Sequence, residues 1–200
     1  MKKTVGIFIF NEVEVLDFGG PFEVFSKAEN DQGQLFKVIT IGEDKALKTA
    51  RNGLLVKPGY DFKDAPECDI LIIPGGYGAE QVEIHNPHVI SWIKSQSEKV
   101  EILASVCTGA LLLAKAGLLK GKKATTHWMD LPRLRDEFED IEVIEGVKFV
   151  DQGNILTAAG ISAGINLSFH IMGRYYGPEI VNTTARRMEY DVAADDLGGI

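Results

Sequence analysis

The chain has 200 residues, 45% of them hydrophobic and 25% charged, with a formal net charge of −8. This length fits one globular domain, and a chain this acidic gains no overall counterion-release affinity for nucleic acid. No apolar stretch approaches a membrane span, and two cysteines without an export signal favour a reducing compartment. We therefore expect a cytoplasmic protein with neither a nucleic-acid nor a membrane partner.

The first third of the chain predicts two buried strands separated by a helix. β-branched and aromatic residues fill 4–10 and 36–41, and a turn residue ends each run. A helix is predicted over 16–29, interrupted early by Gly19-Gly20-Pro21, because Pro21 suits the first turn of a continuation. Residues 54–57 predict one arm of a small hairpin.

The same alternation continues to the end of the chain. Four consecutive apolar residues at 70–73 are typical of a strand that is covered on both faces. Further strands are predicted over 100–104, 123–126, 143–151 and 154–157, and further helices from Asn86-Pro87 and over 130–138, 163–175 and 178–188. The pattern predicts one α/β domain over 1–192, a doubly wound and mostly parallel sheet with helices on both faces. An acidic, Gly-rich tail, 193–200, is expected to be loosely held.

Cys107 lies where an apolar strand gives way to a helix-like segment, in Ser105-Val106-Cys107-Thr108-Gly109. A cysteine at a sharp strand-to-helix turn is arranged like the serine of a nucleophile elbow, and the N–H groups of the following turn favour a thiolate. The plain alternative is a buried structural thiol. Cys68 precedes a strand at the opposite end of the sheet and is interpreted as an ordinary thiol.

Three unusual segments follow predicted strands and should meet at one sheet edge: 74–76, 106–108 and 127–128. Ligands bind at the carboxyl ends of strands in such sheets. Gly75 and Gly76 could present N–H groups to an anionic intermediate, although a double glycine is more often only a turn. No cysteine or histidine spacing indicates a metal, so no metal is expected.

Three side chains are candidate proton-transfer partners of the cysteine. Asp17 is either a helix cap or an acid that exchanges protons with the nucleophile or substrate. Glu23 is a competing carboxylate one turn and a half later. His127 could act as a base, or it could pack as a structural histidine beside Trp128.

Four segments carry a resemblance to the ThiJ/PfpI superfamily, and two more extend it. They are 16–24, 73–76, 105–109 and 124–128, followed by 156–165 and 187–190. The resemblance implies the flavodoxin-like fold of class I glutamine amidotransferases and a homodimer with sites close to the interface. The Cys-Thr-Gly elbow and the Thr-His-Trp segment are most similar to isonitrile hydratase and to the sensor domains of AraC-type regulators.

The hydratase resemblance implies a role for each matched residue and no cofactor. Cys107 would attack the isonitrile carbon, and Asp17 would move protons. Thr108 would offer a hydroxyl and a backbone N–H near the sulfur, and Gly75 and Gly76 would shape the oxyanion side of the pocket. Residues 77–80 and 163–166 would line the pocket around a small-molecule substrate.

Two alternatives of other kinds stay open at this point. One is a glyoxalase or deglycase that acts on α-oxoaldehydes with Cys107 and His127. The other is a non-catalytic sensor whose cysteine responds to oxidation. Contact between the Asp17 carboxyl and the Cys107 sulfur would favour the hydratase, whereas Glu23 or His127 in that place would favour the alternatives.

Overall fold

The fold is given by a computed structural model that describes residues 2–192. The predicted tail, 193–200, lies outside the described residues. The α-helices of the described range are α1 (Val15–Lys27), α2 (Tyr77–Gln81), α3 (Pro87–Ser97), α4 (Gly109–Lys115), α5 (Leu131–Glu137), α6 (Ala163–Tyr176) and α7 (Pro178–Arg187). The strands are β1 (Lys3–Phe8), β2 (Glu29–Asn30), β3 (Gly33–Gln34), β4 (Phe36–Gly42), β5 (Lys48–Thr49), β6 (Leu55–Val56), β7 (Tyr60–Asp61), β8 (Ile70–Ile73), β9 (Ile102–Val106), β10 (Lys122–Ala124), β11 (Ile141–Val143), β12 (Phe149–Asp151) and β13 (Ile155–Ala158).

A seven-stranded sheet with the order β12-β13-β9-β8-β1-β4-β7 forms the centre of the protein. Its strand pairs are parallel except β12 with β13, which are antiparallel around the predicted turn. The flavodoxin-like, doubly wound α/β fold predicted from the sequence is confirmed. Because β1 pairs with both β4 and β8, the winding direction reverses there, which is where such folds bind ligands.

Each face of the sheet has its own apolar layer. One layer joins the sheet to α1, α6 and α7, and the other joins it to α2, α3, α4 and α5. Strand β8 is buried along its whole length, with Ile70 and Ile72 in the first layer and Leu71 and Ile73 in the second. The continuous apolar run over 70–73 therefore reflects helices on both faces. No helix within residues 2–192 has the length and apolar character to cross a membrane.

Local boundaries differ from the sequence prediction in three places. Helix α1 is continuous through Gly19-Gly20-Pro21, where an interruption was predicted. The predicted strand over 143–151 is split into β11 and β12 by a loop in which Gly146 has a φ of +74°. The predicted strand over 123–126 stops at Ala124 and pairs with β11 outside the central sheet, which leaves Thr125, Thr126 and His127 in a loop.

Gly20 lets α1 approach α6 closely, and this close contact is testable. A Cβ on Gly20 would lie 2.9 Å from Ile165 Cγ1, whereas a Cβ on the neighbouring Gly19 would meet nothing within 4 Å. We expect Gly20→Ala to lower the free energy of unfolding by about 1–3 kcal/mol through overpacking. Gly19→Ala should instead raise it by about 0.5–1 kcal/mol, because alanine costs less backbone entropy in a helix. Urea unfolding of both variants measures this, and equal effects would contradict the close approach.

Candidate active site

A sharp turn between β9 and α4 presents Cys107 at the carboxyl edge of the sheet. Its φ is +55°, in the left-handed region that few residues other than glycine adopt. Two hydrogen bonds hold this conformation: the Cys107 N–H donates to the Ala159 carbonyl at 3.0 Å, and the Thr126 hydroxyl donates to the Cys107 carbonyl at 2.8 Å. Gly109 makes the turn compact, since a Cβ there would lie 2.1 Å from the Ile73 carbonyl oxygen.

Opposing influences set the protonation of the Cys107 thiol, which is 6% exposed. Burial raises its pKa well above the ordinary value and the Asp17 charge adds to this, whereas hydrogen bonds from the Thr108 and Ile161 backbone N–H groups lower it. The N–H contacts therefore favour a thiolate, as predicted from the elbow, but burial outweighs them. Ile161 donates from a φ of +47°, a strained conformation for a β-branched residue.

Asp17 lies in the first turn of α1 with its side chain fully buried. Its Oδ2 accepts the Gly75 N–H at 3.0 Å, and its Oδ1 has no well-aligned donor among the described residues. Burial raises the pKa of Asp17 to about 8, while the Gly75 N–H and a contact with the Cys107 thiol lower it. Asp17 is not the helix cap, because Glu14 accepts the Val15 N–H at 3.2 Å in that role. Asp17 and Cys107 are thus close enough for each to shift the pKa of the other.

The buried Asp17 carboxyl makes stability depend on pH. Its pKa is about 8 in the folded protein against an ordinary 3.8, so between these values the folded state holds a proton that the unfolded state lacks. The free energy of unfolding should therefore fall as pH rises through this window. We expect Asp17→Asn to gain stability relative to the wild type between pH 5 and pH 8 in urea unfolding. A difference that does not change with pH would contradict this.

Gly75 and Gly76 position the loop after β8, and their N–H groups are already used. The Gly75 N–H binds Asp17, and the Gly76 N–H donates to Thr108 Oγ1 at 2.9 Å. A Cβ on Gly75 would lie 2.5 Å from the Thr108 nitrogen, so only glycine fits there. The two glycine N–H groups are therefore engaged within the protein, whereas Gly76 and Thr108 still line the pocket beside Cys107. The N–H groups that reach the sulfur belong to Thr108 and Ile161.

A pocket of ≈ 340 Å³ opens above Cys107. The three segments predicted to share one edge do meet here, since Gly76, Thr108 and His127 line it together with the cysteine. His127 Nδ1 lies 3.6 Å from Asp130 Oδ2. The His127 ring fits because residue 160 is glycine: a Cβ there would lie 2.2 Å from His127 Cδ2.

Several pocket residues were not identified from the sequence as site residues. Tyr77 and Glu80 fall in the segment 77–80 that was expected to line the pocket, and they do. Sequence reasoning missed the remaining ones, which come from four separate loops or turns: Glu14, Arg51, Met129, Asp130 and Ile161. The one available signal was chain proximity, because Glu14 precedes Asp17 and Asp130 follows His127 by three residues.

Two other candidates lie away from the pocket. The Glu23 carboxylate is half exposed and pairs with Lys27 at 3.4 Å, so the structure does not place it over the cysteine. Cys68 lies at the amino end of the sheet, where burial raises its pKa to about 11. Among residues 2–192, no three His, Cys, Asp or Glu side chains are grouped as metal ligands would be.

Comparison with known proteins agrees with this geometry. The model of the DJ-1/PfpI family matches residues 3–174. Isonitrile hydratase of Pseudomonas putida is 33% identical over 190 residues, which covers 95% of this chain and 79% of that protein. The transcriptional regulator GbdR of Pseudomonas aeruginosa is 25% identical over 94% of this chain, which spans only 51% of the regulator's length.

The chain is also similar to a solved structure. The crystal structure of a ThiJ/PfpI family protein from Pseudomonas syringae matches with a TM-score of 0.86 and 25% identity. The match covers 96% of this chain and 77% of that one. The central sheet and the helices on both of its faces therefore follow a known arrangement.

Proposed function

Because the chain belongs to the DJ-1/PfpI family, we propose that it is a cysteine-dependent hydratase that converts isonitriles into N-substituted formamides. The observation that supports this proposal is a fully buried Asp17 carboxyl with one oxygen unpartnered among the described residues, close enough to the pocket cysteine for each group to shift the pKa of the other. An acid whose pKa is about 8 populates both its protonated and its ionised form near neutral pH. The similarity to isonitrile hydratase supports the choice of substrate.

In the first half of the reaction, the sulfur adds to the terminal carbon of the isonitrile. Ionised Asp17 takes the thiol proton as the S–C bond forms, and it then returns this proton to the same carbon. The product is a thioimidate, R–N=CH–S–Cys107, which contains all the atoms of the isonitrile and the thiol. The Thr108 and Ile161 N–H groups stabilise the sulfur while it carries negative charge.

In the second half, water adds to the C=N bond of the thioimidate. Asp17 removes a proton from the water, and the nitrogen gains one, which gives R–NH–CH(OH)–S–Cys107. Collapse of this adduct forms the carbonyl, breaks the C–S bond and restores the thiol with the hydroxyl proton. The sum is one isonitrile and one water consumed per formamide released. The cysteine ends as it began, so the cycle needs no cofactor.

Formamide production tests the proposal directly. Purified protein is incubated with a neutral alkyl isonitrile at pH 7.5, and the formamide is quantified by chromatography. We expect repeated turnover, with many formamides formed per protein molecule. The absence of formamide above the buffer control would overturn the proposal.

A second candidate function is favoured by His127, which lines the same pocket as Cys107. A glyoxalase or deglycase would use this pair on an α-oxoaldehyde, with the cysteine as nucleophile and the histidine as base. It predicts that methylglyoxal is converted to lactate and that His127→Ala loses this activity. A rate no greater than that of a free thiol would remove this candidate.

The remaining alternative, a redox sensor, has less support from the site. Sensor cysteines are usually exposed thiolates with a low pKa, whereas burial raises the pKa of Cys107. The similarity to GbdR keeps a ligand sensor open as an alternative to catalysis. Binding of an isonitrile without turnover would favour that reading.

We also propose that the protein acts in the cytoplasm as a homodimer. Leu16 and Phe22 leave apolar surface exposed on α1, next to the helix turn that holds Asp17. A second copy covering this surface would place the interface close to the site. Light scattering of the purified protein measures the mass, and a monomer at micromolar concentration would contradict the dimer.

A further inference from the structure

Charged side chains surround the mouth of the Cys107 pocket unequally. Carboxyl groups line it from three separate elements: Glu14 before α1, Glu80 in α2 and Asp130 before α5. Against them stand one guanidinium, from Arg51, and the imidazole of His127. Carboxyl groups therefore outnumber basic groups in the pocket lining.

The positive charges nearby are already paired. Arg51 Nη1 donates to Glu12 Oε2 at 2.7 Å, so the guanidinium is neutralised by a carboxylate outside the pocket. Arg133 donates to Glu137 at 3.0 Å and to the Glu80 carbonyl oxygen at 3.2 Å. The pocket mouth consequently keeps a net negative charge.

Glu80 and Asp130 form a coupled pair of carboxyl groups. Burial raises the pKa of Glu80, and the charge of Asp130 and a hydrogen bond between the two carboxyls raise it further. Two interacting carboxyls keep at least one negative charge unless both are protonated.

The field of these groups reaches the reacting atom. Besides burial and Asp17, the charge of Asp130 raises the pKa of the Cys107 thiol. An anion that enters the pocket thus meets an unfavourable potential from the opening to the sulfur, and a cation meets a favourable one.

We infer that the Cys107 pocket selects its substrates by charge, excluding anions and admitting neutral and cationic molecules through Glu14, Glu80 and Asp130. This substrate class rests on the proposed hydratase function. The preferred isonitriles are uncharged or carry an amine, and isonitriles that carry a carboxylate are rejected. The three carboxyl groups are specificity-determining residues at the opening, distinct from the Cys107–Asp17 pair that does the chemistry.

Thiol labelling tests the inference without requiring turnover. In a Cys68→Ser background, Cys107 is labelled with three methanethiosulfonate reagents: neutral methyl, cationic trimethylammonioethyl and anionic sulfonatoethyl. Each rate is divided by the rate of the same reagent with 2-mercaptoethanol. We expect the normalised cationic rate to exceed the anionic one by about tenfold at low salt, and the preference to shrink as salt screens the charges.

Substitutions of the pocket carboxyls test whether they cause the preference for the cationic reagent. Glu14→Gln, and the double variant Glu80→Gln with Asp130→Asn, should each lower the cationic-to-anionic ratio by about threefold. Glu142→Gln is the matched control: it removes one exposed carboxylate from β11 and should leave the ratio unchanged. Equal normalised rates for the three reagents, or a ratio insensitive to the mouth variants, would overturn the inference.

The labelling result and the hydratase result can fail separately. A charge preference without formamide production would retain the inference and remove the hydratase. Formamide production from a carboxylated isonitrile as fast as from a neutral one, without a labelling preference, would retain the hydratase and overturn the inference.

Discussion

Cys107→Ser should reduce isonitrile hydration to the background rate, a loss on the order of 10⁴-fold or more in kcat/KM. The serine hydroxyl is a far weaker nucleophile than the thiol, because its proton is much harder to remove. Formamide production at saturating and limiting isonitrile gives kcat and KM. The matched control is Cys68→Ser, which removes the thiol at the amino end of the sheet and should keep full activity. Comparable activity in Cys107→Ser would exclude the cysteine as nucleophile.

Asp17→Asn should lower kcat by about 10²–10⁴-fold, because the amide cannot move protons between thiol, carbon and water. The substitution keeps the side-chain shape and an oxygen for the Gly75 N–H. It also removes a negative charge that raises the pKa of Cys107, so iodoacetamide should label Cys107 faster than in the wild type at pH 9, where wild-type Asp17 is mostly ionised. A circular dichroism spectrum like that of the wild type and a single cooperative urea transition, together with the loss of hydration, separate a proton-transfer role from simple misfolding.

Glu23→Gln provides the control for the loss of a carboxylate on the same helix. Glu23 pairs with Lys27 on the exposed side of α1. The Glu23→Gln variant should therefore hydrate isonitriles and react with iodoacetamide at rates near those of the wild type. A loss of hydration in Glu23→Gln equal to that in Asp17→Asn would contradict the assignment of the acid.

The parts of the fold that could be predicted are those in which burial produces a recognisable pattern of apolar residues. The apolar run over 70–73 indicated a strand covered on both faces, and strand ends located Cys107 and Gly76 at one edge. The continuity of α1 was not predictable, because the missing side chain of Gly20 serves a contact with Ile165 on α6. The only sign of such a contact in the sequence is a glycine, and by its local pattern a glycine predicts an interruption of the helix.

The site residues that could be predicted lie in recognisable motif segments, and those outside these segments could not be predicted. Cys107 and Asp17 come from segments that resemble a known family, and in the structure each shifts the pKa of the other. Ile161 was not predictable, since a β-branched residue is a poor candidate for a positive φ. The direction of the Cys107 pKa was not predictable either, because it depends on how deeply the turn is buried.

The central claim is a covalent bond between Cys107 and the isonitrile carbon. With protein in excess over isonitrile, samples quenched during a single turnover and analysed by peptide mass spectrometry measure it directly. We expect the Cys107 peptide to gain the full mass of the isonitrile and to lose it at the rate at which formamide appears. Formamide that appears without this gain, at a rate that Cys107→Ser retains, would contradict it.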